Sequence, residues 1–448
     1  MTRMPRSHCD SIIEAGWVLP IAPVNTALLD CSVAIREGLI VAVGTHAEVA
    51  AAWTADERLT LPEHILLPGL VNAHGHLPMT LFRGLADDLP LDQWLNEHIW
   101  PLETRWVDPE FVRDGAALAL LEMLTTGTTC CSDMYFFPEV TAEAARAAGI
   151  RAQIAFPILS FANAWSRDAN EAFHKGLALH DTYRDQPLIN IAFGPHAPDT
   201  VARDDLIRAL TLADELEAPI QTHLHENLRE VQDARARLGK SHIEWLAELG
   251  LLIPRLQAVH MTQVSDSELE LVADAGVSVI HCPQSNLKLG SGHCDIVALQ
   301  AAGIRVGLGT DGAASNNGLD MFSEMRAAAL VAKAVTGDVT AAAAFDTLRM
   351  ATLGGAEAMS IDDQIGSLEP GKSADLIALD TACPGMTPLH HPASQLVYTA
   401  AGAQVSHVWV AGRAVVTDGN PVTLDALAVL ANAKRWQGRL RPSEALQP

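Results

Sequence analysis

Ile65-Leu66-Leu67-Pro68-Gly69-Leu70-Val71-Asn72-Ala73-His74-Gly75-His76 is an apolar run that ends in two histidines. Side chains of an extended chain alternate between faces, so His74 and His76 point the same way and can offer two imidazoles to one ion, with Gly75 leaving room between them. An isolated HxH pair is weak evidence, because histidines at that spacing also serve as hydrogen-bonded core residues. What decides the reading is that the run recurs.

Similar apolar runs follow, each leading through a polar cluster into a helical segment: Thr128 to Asp133, Arg151 to Leu159, Leu188 to Gly194, Pro219 to Leu224, Leu256 to Met261, Val277 to Cys282 and Ile304 to Thr310. With Ile65 to Ala73 they make eight candidate strands. Near-continuous apolar runs suit strands buried on both faces of a parallel sheet, and the intervening helices supply the crossovers that parallel pairing requires. The expected fold is therefore α/β, a (β/α)8 barrel. Helix ends support the count. Asp108 before Pro109 reads as an N-cap with a first-turn proline, Thr200 as a cap for Val201 to Glu217, and Asp295 as the start of a helix that stops near Gly303.

The two ends of the chain read differently. Ser32 to Val43 around Arg36-Glu37-Gly38, Asp375 to Leu379 after Pro370-Gly371-Lys372, and Ser406 to Thr417 around Ala411-Gly412-Arg413 look like short strands and hairpins. One β-sandwich domain assembled from residues 1–64 and 370–448, with the barrel of residues 65–369 inserted between, is the economical arrangement. A chain of 448 residues has room for both at roughly 150 residues per domain.

Composition narrows the class. Apolar residues make up 49 % and charged residues 19 %, an ordinary globular balance. The formal charge of -24 repels phosphates and anionic lipid, which argues against nucleic-acid or membrane partners. No apolar stretch reaches the ~18 residues of a bilayer span, and Asp10, Glu14, Pro20 and Pro23 interrupt any signal-peptide core. The seven cysteines are odd in number and scattered, so no disulfide framework is expected and a reducing cytoplasm fits.

Other expected strand ends carry chemistry as well: Gly194-Pro195-His196, His223-Leu224-His225-Glu226, His260, His281, and Thr310-Asp311-Gly312. Functional groups of a (β/α)8 barrel gather at the C-terminal ends of its strands, so these residues should converge on one mouth. For His281 a histidine bonded to a nearby backbone carbonyl is as good a reading. His225 alternates away from His223 and reads as structural, and Cys282 and Cys294 read as small buried residues.

Together, His74-Gly75-His76, His223 with Glu226, His260 and Asp311 resemble the motif set of the amidohydrolase superfamily. Within it, Leu67 to His76, Leu81-Phe82-Arg83-Gly84 and Trp100-Pro101-Leu102-Glu103 resemble the 5′-methylthioadenosine/S-adenosylhomocysteine deaminases, a frame that triazine hydrolases and guanine deaminases largely share. The resemblance implies His74, His76, His223 and Asp311 as ligands of one Zn²⁺ per chain, with Fe²⁺ also suited to that donor set. One metal is expected because strand four ends in Phe193-Gly194-Pro195-His196, without a bridging lysine or acid.

The resemblance further implies a hydrolytic deamination of adenine in 5′-methylthioadenosine, S-adenosylhomocysteine or adenosine. Asp311 would take a proton from the attacking water, Glu226 would protonate the ring nitrogen beside the attacked carbon, and His260 would hydrogen-bond the attacking oxygen. Glu103 and His196 would hold the sugar, Arg167 a homocysteine carboxylate, and Trp94 a wall of the purine pocket. Three of these have a plainer reading: loop charge for Glu103, surface arginine for Arg167, core aromatic for Trp94. A hydrolase that displaces chloride or an alkylamine from an s-triazine is the competing reaction, and Glu103 as a sugar acceptor would be useless to it. A nucleoside as small-molecule partner and a homo-oligomer complete the expectation.

Overall fold

The computed structural model describes residues 6–440, so residues 1–5 and 441–448 of the expected terminal unit lie outside it. Strands β1 (Ser7–Val18), β2 (Leu28–Arg36), β3 (Leu39–Thr45) and β4 (Trp53–Pro68) come first, followed by the short β5 (Leu70–Asn72). Then β6 (Thr128–Asp133), β7 (Arg151–Ile158), β8 (Ile189–Pro195), β9 (Ile220–Leu224), β10 (Leu256–His260), β11 (Ser278–His281) and β12 (Arg305–Leu308) alternate with helices. The last strands are β13 (Leu376–Asp380), β14 (Val405–Val410), β15 (Arg413–Thr417) and β16 (Asn420–Pro421).

These strands form two eight-stranded sheets. β5 to β12 lie in sequence order with parallel pairing, and the Ala73 amide donates to the Leu308 carbonyl at 2.9 Å, which ties the first strand to the last as a barrel. β6 and β7 are buried at every position, as strands covered on both faces must be. The second sheet has the order β16-β15-β14-β13-β4-β1-β2-β3, so strands from both ends of the chain share it. It is mixed, with β1 and β4 parallel and β4 and β13 antiparallel.

The run Ile65 to Ala73, expected as a single strand, is two. Ile65 to Pro68 close β4 and pair with β13, while Leu70 to Asn72 start the barrel against β6. The change of sheet falls on Gly69, where a Cβ would sit 2.0 Å from the Thr129 hydroxyl oxygen, so only glycine lets the two sheets meet this closely. Thr200 also departs from expectation. The helix begins at Arg203 with Ala202 at its cap, and the Thr200 hydroxyl instead accepts from the Ala197 amide. Asp108 and Asp295 do cap their helices, accepting from the Phe111 and Ala298 amides.

The closing helix Ala426–Leu440 returns to the barrel, where the buried Trp436 donates its indole N–H to Asp114 on the helix Pro109–Thr125. At the opposite end of the barrel strands, Arg151 at the start of β7 donates through Nε to Asp375 at 3.0 Å. Asp375 also accepts from Ser373 and from the Ala411 amide, so one buried carboxylate joins the barrel to the mixed sheet. No helix among the described residues is long and apolar enough to cross a membrane.

Removing one partner of a buried ion pair leaves the other charge uncompensated, at a cost of about 3–5 kcal/mol. Asp375→Ala should therefore lower the urea midpoint by that amount of stability at unchanged slope, while the metal content of the folded protein stays the same. An unchanged midpoint would show that water satisfies Arg151 equally well.

Candidate active site

Each group at the mouth owes its position to a strand end. His74 and His76 follow β5, His223 lies in β9, His260 ends β10, and Asp311 follows β12. His260 and Asp311 adopt the left-handed backbone region, with φ of 79° and 61°, strain of the kind held at functional sites by surrounding structure.

His76 donates from Nδ1 to the Met134 carbonyl at 2.6 Å and His223 from Nδ1 to the His196 carbonyl at 2.7 Å. The Nδ1 of His74 donates to Gln221 Oε1 at 2.8 Å. With Nδ1 carrying the proton, each neutral ring keeps a lone pair on Nε2, and those atoms face one another, His74 to His223 at 3.2 Å. Asp311 Oδ1 lies 3.5 Å from His74 Nε2 and 3.2 Å from His76 Nε2. Lone pairs aimed at one another across such distances need a cation between them, and three imidazoles with one carboxylate fit a Zn²⁺ site with room for water. With no cation between them, and against the effect of burial, Asp311 holds a proton on the facing imidazole, which raises His76 to about 9 and keeps Asp311 well below the usual carboxylate range; a bound cation would take the place of that proton. The centre of the site favours positive charge.

The other oxygen of Asp311, Oδ2, accepts from Ser285 at 2.6 Å and Ser315 at 2.9 Å. His260 donates from Nδ1 to Asn286 and presents Nε2 3.9 Å from Glu226 Oε2. Burial, then the charges of Asp311 and Glu230, push the Glu226 carboxyl well above its ordinary value. Two carboxylates of one mouth are thus driven apart in acidity, Glu226 upward and Asp311 downward.

A cavity of about 490 Å³ opens above this cluster, lined by His76, His223, Glu226, His260 and Asp311 together with Glu103, His196 and Trp94. Glu103 is buried, accepts from the Tyr135 hydroxyl at 2.7 Å, and is pushed by burial to about 7. His196, held near 4 by burial and the neighbouring histidines, contacts Thr200. Trp94 is buried with no hydrogen-bond partner for its indole N–H. Arg167 is not in the cavity wall. Its side chain is 87 % exposed and its guanidinium pairs with Glu171 in the next helical turn, which corrects the expectation of a tail contact there. His281 does not join the mouth either. It follows Ile280, which faces inward, and so points outward toward Cys294 and Ala328.

Sequence reading missed the polar layer beneath the metal ligands. Gln221 donates to the Ala73 carbonyl and to Gln257, Gln257 pairs with Gln153, and Gln153 reaches Ser132, all inside the barrel. Gln221 lies two residues before His223, and alternation along β9 places both on the inner face. A glutamine inside an otherwise apolar strand was the available signal.

A barrel with this histidine and carboxylate cluster at its C-terminal mouth is the framework of a metal-dependent hydrolase. Residues 65–415 match the amidohydrolase family. The 5-methylthioadenosine/S-adenosylhomocysteine deaminase of Teredinibacter turnerae is 50 % identical over 96 % of this chain and 98 % of its own length. The enzyme of the same name from Saccharophagus degradans is 46 % identical over 98 % and 99 %. Among solved structures, an adenosine deaminase from Xanthomonas campestris with bound zinc superposes with a TM-score of 0.96 at 48 % identity, covering 97 % of this chain and 99 % of that one. Atrazine chlorohydrolase from Arthrobacter aurescens, complexed with zinc, gives 0.89 at 26 % identity over 95 % and 99 %. The chain belongs to the amidohydrolase family, within its group of 5-methylthioadenosine/S-adenosylhomocysteine deaminases.

Partners that orient a metal-bound histidine typically contribute 10–100-fold in metal affinity. Gln221→Leu removes the acceptor of the His74 ring and should weaken zinc retention in a chelator titration by about that factor, whereas His223→Ala should leave the purified protein essentially metal-free by elemental analysis. Equal zinc affinity in Gln221→Leu and the parent would show that the His74 ring is held by packing alone.

Proposed function

We propose that this protein is a zinc-dependent deaminase that converts the adenine of 5′-methylthioadenosine, S-adenosylhomocysteine or adenosine to hypoxanthine and releases ammonia. The observation that carries the reading is the position of Glu226, 3.9 Å from His260 beside the ligand cluster in a cavity of about 490 Å³, where burial and the neighbouring carboxylates push its carboxyl well above the ordinary value. The near full-length identity to deaminases of that name supports it. His74, His76, His223 and Asp311 hold the metal, which when bound supplies a water acidified to a pKa of about 7.

Asp311 would accept a proton from the attacking water, its Oδ2 being fixed by Ser285 and Ser315. His260, whose Nδ1 proton is committed to Asn286, accepts a hydrogen bond at Nε2 and so orients the attacking oxygen. As the C6–O bond forms, the ring electrons move to N1, which takes the proton of Glu226. The proton on Asp311 then passes to the amino group, the C6–N bond breaks, and the new C6 hydroxyl returns its proton to Glu226 as the carbonyl forms. Water and an amidine have become an amide and ammonia, with both carboxyls restored.

Glu103 and His196 hold the ribose and Trp94 borders the purine. A buried carboxylate placed to accept hydroxyl hydrogen bonds has no use in a triazine hydrolase, which favours the nucleoside. The same reading includes a cytoplasmic homo-oligomer, supported for the compartment by seven free thiols. A monomer in sedimentation velocity would overturn the oligomer.

Ammonia release with loss of the adenine absorbance across a nucleoside panel tests the activity directly, and no release from any adenine nucleoside would refute it. Glu226→Gln should keep its zinc but lose about 10² to 10⁴-fold in kcat, the usual contribution of a general acid. Hydrogen bonds to a charged acceptor contribute about 1.5–3 kcal/mol. Glu103→Ala should therefore lower kcat/KM for 5′-methylthioadenosine by about 10 to 150-fold while barely affecting residual turnover of free adenine. Equal losses on both compounds would assign Glu103 to the fold instead of the ribose.

A further inference from the structure

Glu226 immediately precedes the helix Leu228–Leu238, and Arg229, Glu230 and Asp233 on that helix also line the cavity. At a rise of about 1.5 Å per residue, Asp233 lies about 6 Å along the helix axis from Arg229. Glu230 is committed inward, accepting from the His225 and Glu226 amides and from His242. Arg229 and Asp233 are mostly exposed, with Nε and Oδ2 3.6 Å apart.

The charge of the wall is lopsided. Glu103, Asp199, Glu226, Glu230, Asp233 and Asp311 all border the cavity, whereas among the described residues that line it Arg229 is the only lysine or arginine. A substrate carboxylate entering here has one cation to meet, and Arg167 faces away with Glu171. Leu159, Phe161 and Trp100 give the same cavity an apolar part of its wall. A 5′-thioether suits that apolar wall, and an α-amino acid, which carries one charge of each sign, suits an arginine and an aspartate side by side.

We infer that Arg229 and Asp233 dock the amino-acid end of S-adenosylhomocysteine, Arg229 taking the carboxylate and Asp233 the ammonium, and so set the preference between this substrate and 5′-methylthioadenosine. The inference rests on the deaminase reading and adds to it the residues that discriminate the tail. Because the pair is largely exposed, solvent weakens it relative to a buried clamp. Its effect is on the choice of substrate and does not reach the chemistry at C6.

The quantity to measure is the ratio of kcat/KM for S-adenosylhomocysteine to that for 5′-methylthioadenosine, in the zinc-loaded wild-type protein and in Arg229→Met, Arg229→Glu and Asp233→Asn. The exposed position of both side chains makes these variants compatible with folding. The ratio should fall about 2- to 5-fold in Arg229→Met and further in Arg229→Glu, with a smaller fall in Asp233→Asn. A decarboxylated S-adenosylhomocysteine, which keeps the amine, should show the same relative efficiency in the wild type and in Arg229→Met. A ratio unchanged within about twofold in Arg229→Glu, whether both efficiencies hold or fall together, would overturn the docking role. Wild-type protein that turns over 5′-methylthioadenosine but not S-adenosylhomocysteine would also overturn it, leaving the deaminase reading intact. Absence of turnover on every adenine nucleoside would remove both.

Discussion

Three imidazole lone pairs aimed at one point are the constraint on which the rest of this site depends. Each of His74, His76 and His223 spends its Nδ1 proton on an acceptor inside the barrel, so each must present an unprotonated Nε2 to the centre. Nitrogen lone pairs that face one another repel, and only a cation with a partly neutralising carboxylate makes the arrangement favourable. The barrel supplies the geometry at its strand ends and in the residues just past them. Two of the orienting acceptors are backbone carbonyls at strand ends, and the third is a glutamine fixed by neighbours on other strands.

A second constraint acts on the acids. Asp311, Glu226 and Glu103 share one cavity, yet their surroundings differ. Asp311 accepts hydrogen bonds from the Ser285 and Ser315 hydroxyls, which stabilise its anion. Burial, and then the charges of Asp311 and Glu230, oppose a further negative charge on Glu226 and push its carboxyl well above the ordinary value. One pocket therefore holds two carboxyls of opposite tendency, which is what the proposed addition of water to an aromatic amidine and expulsion of ammonia would use.

The mixed sheet takes no part in this chemistry, but it constrains the barrel. β4 leaves that sheet at Pro68 and β5 begins at Leu70, so the strand bearing the HxH pair is anchored on its N-terminal side by a neighbouring domain. Gly69 permits the approach, and Asp375 accepts from Arg151 where the two layers meet. Sequence reading placed a single strand here because the run is apolar throughout. Hydrophobic pattern reports burial, and it does not report which sheet does the burying.

The sequence by itself determined the strand count, the barrel and its metal-binding mouth, because these rest on local pattern: apolar runs, period-two alternation in His74 and His76, and ionisable residues at strand ends. Glu103 as a cavity residue also followed from motif alone. Tertiary structure decided what depends on distances between strands far apart in the chain. It turned His281 outward and Arg167 into solvent, joined Ser285 and Ser315 to Asp311, and placed Gln221 under His74. A side chain's neighbours across a barrel are set by register and strand stagger, which no single segment encodes, and the pKa of a carboxyl follows from those neighbours.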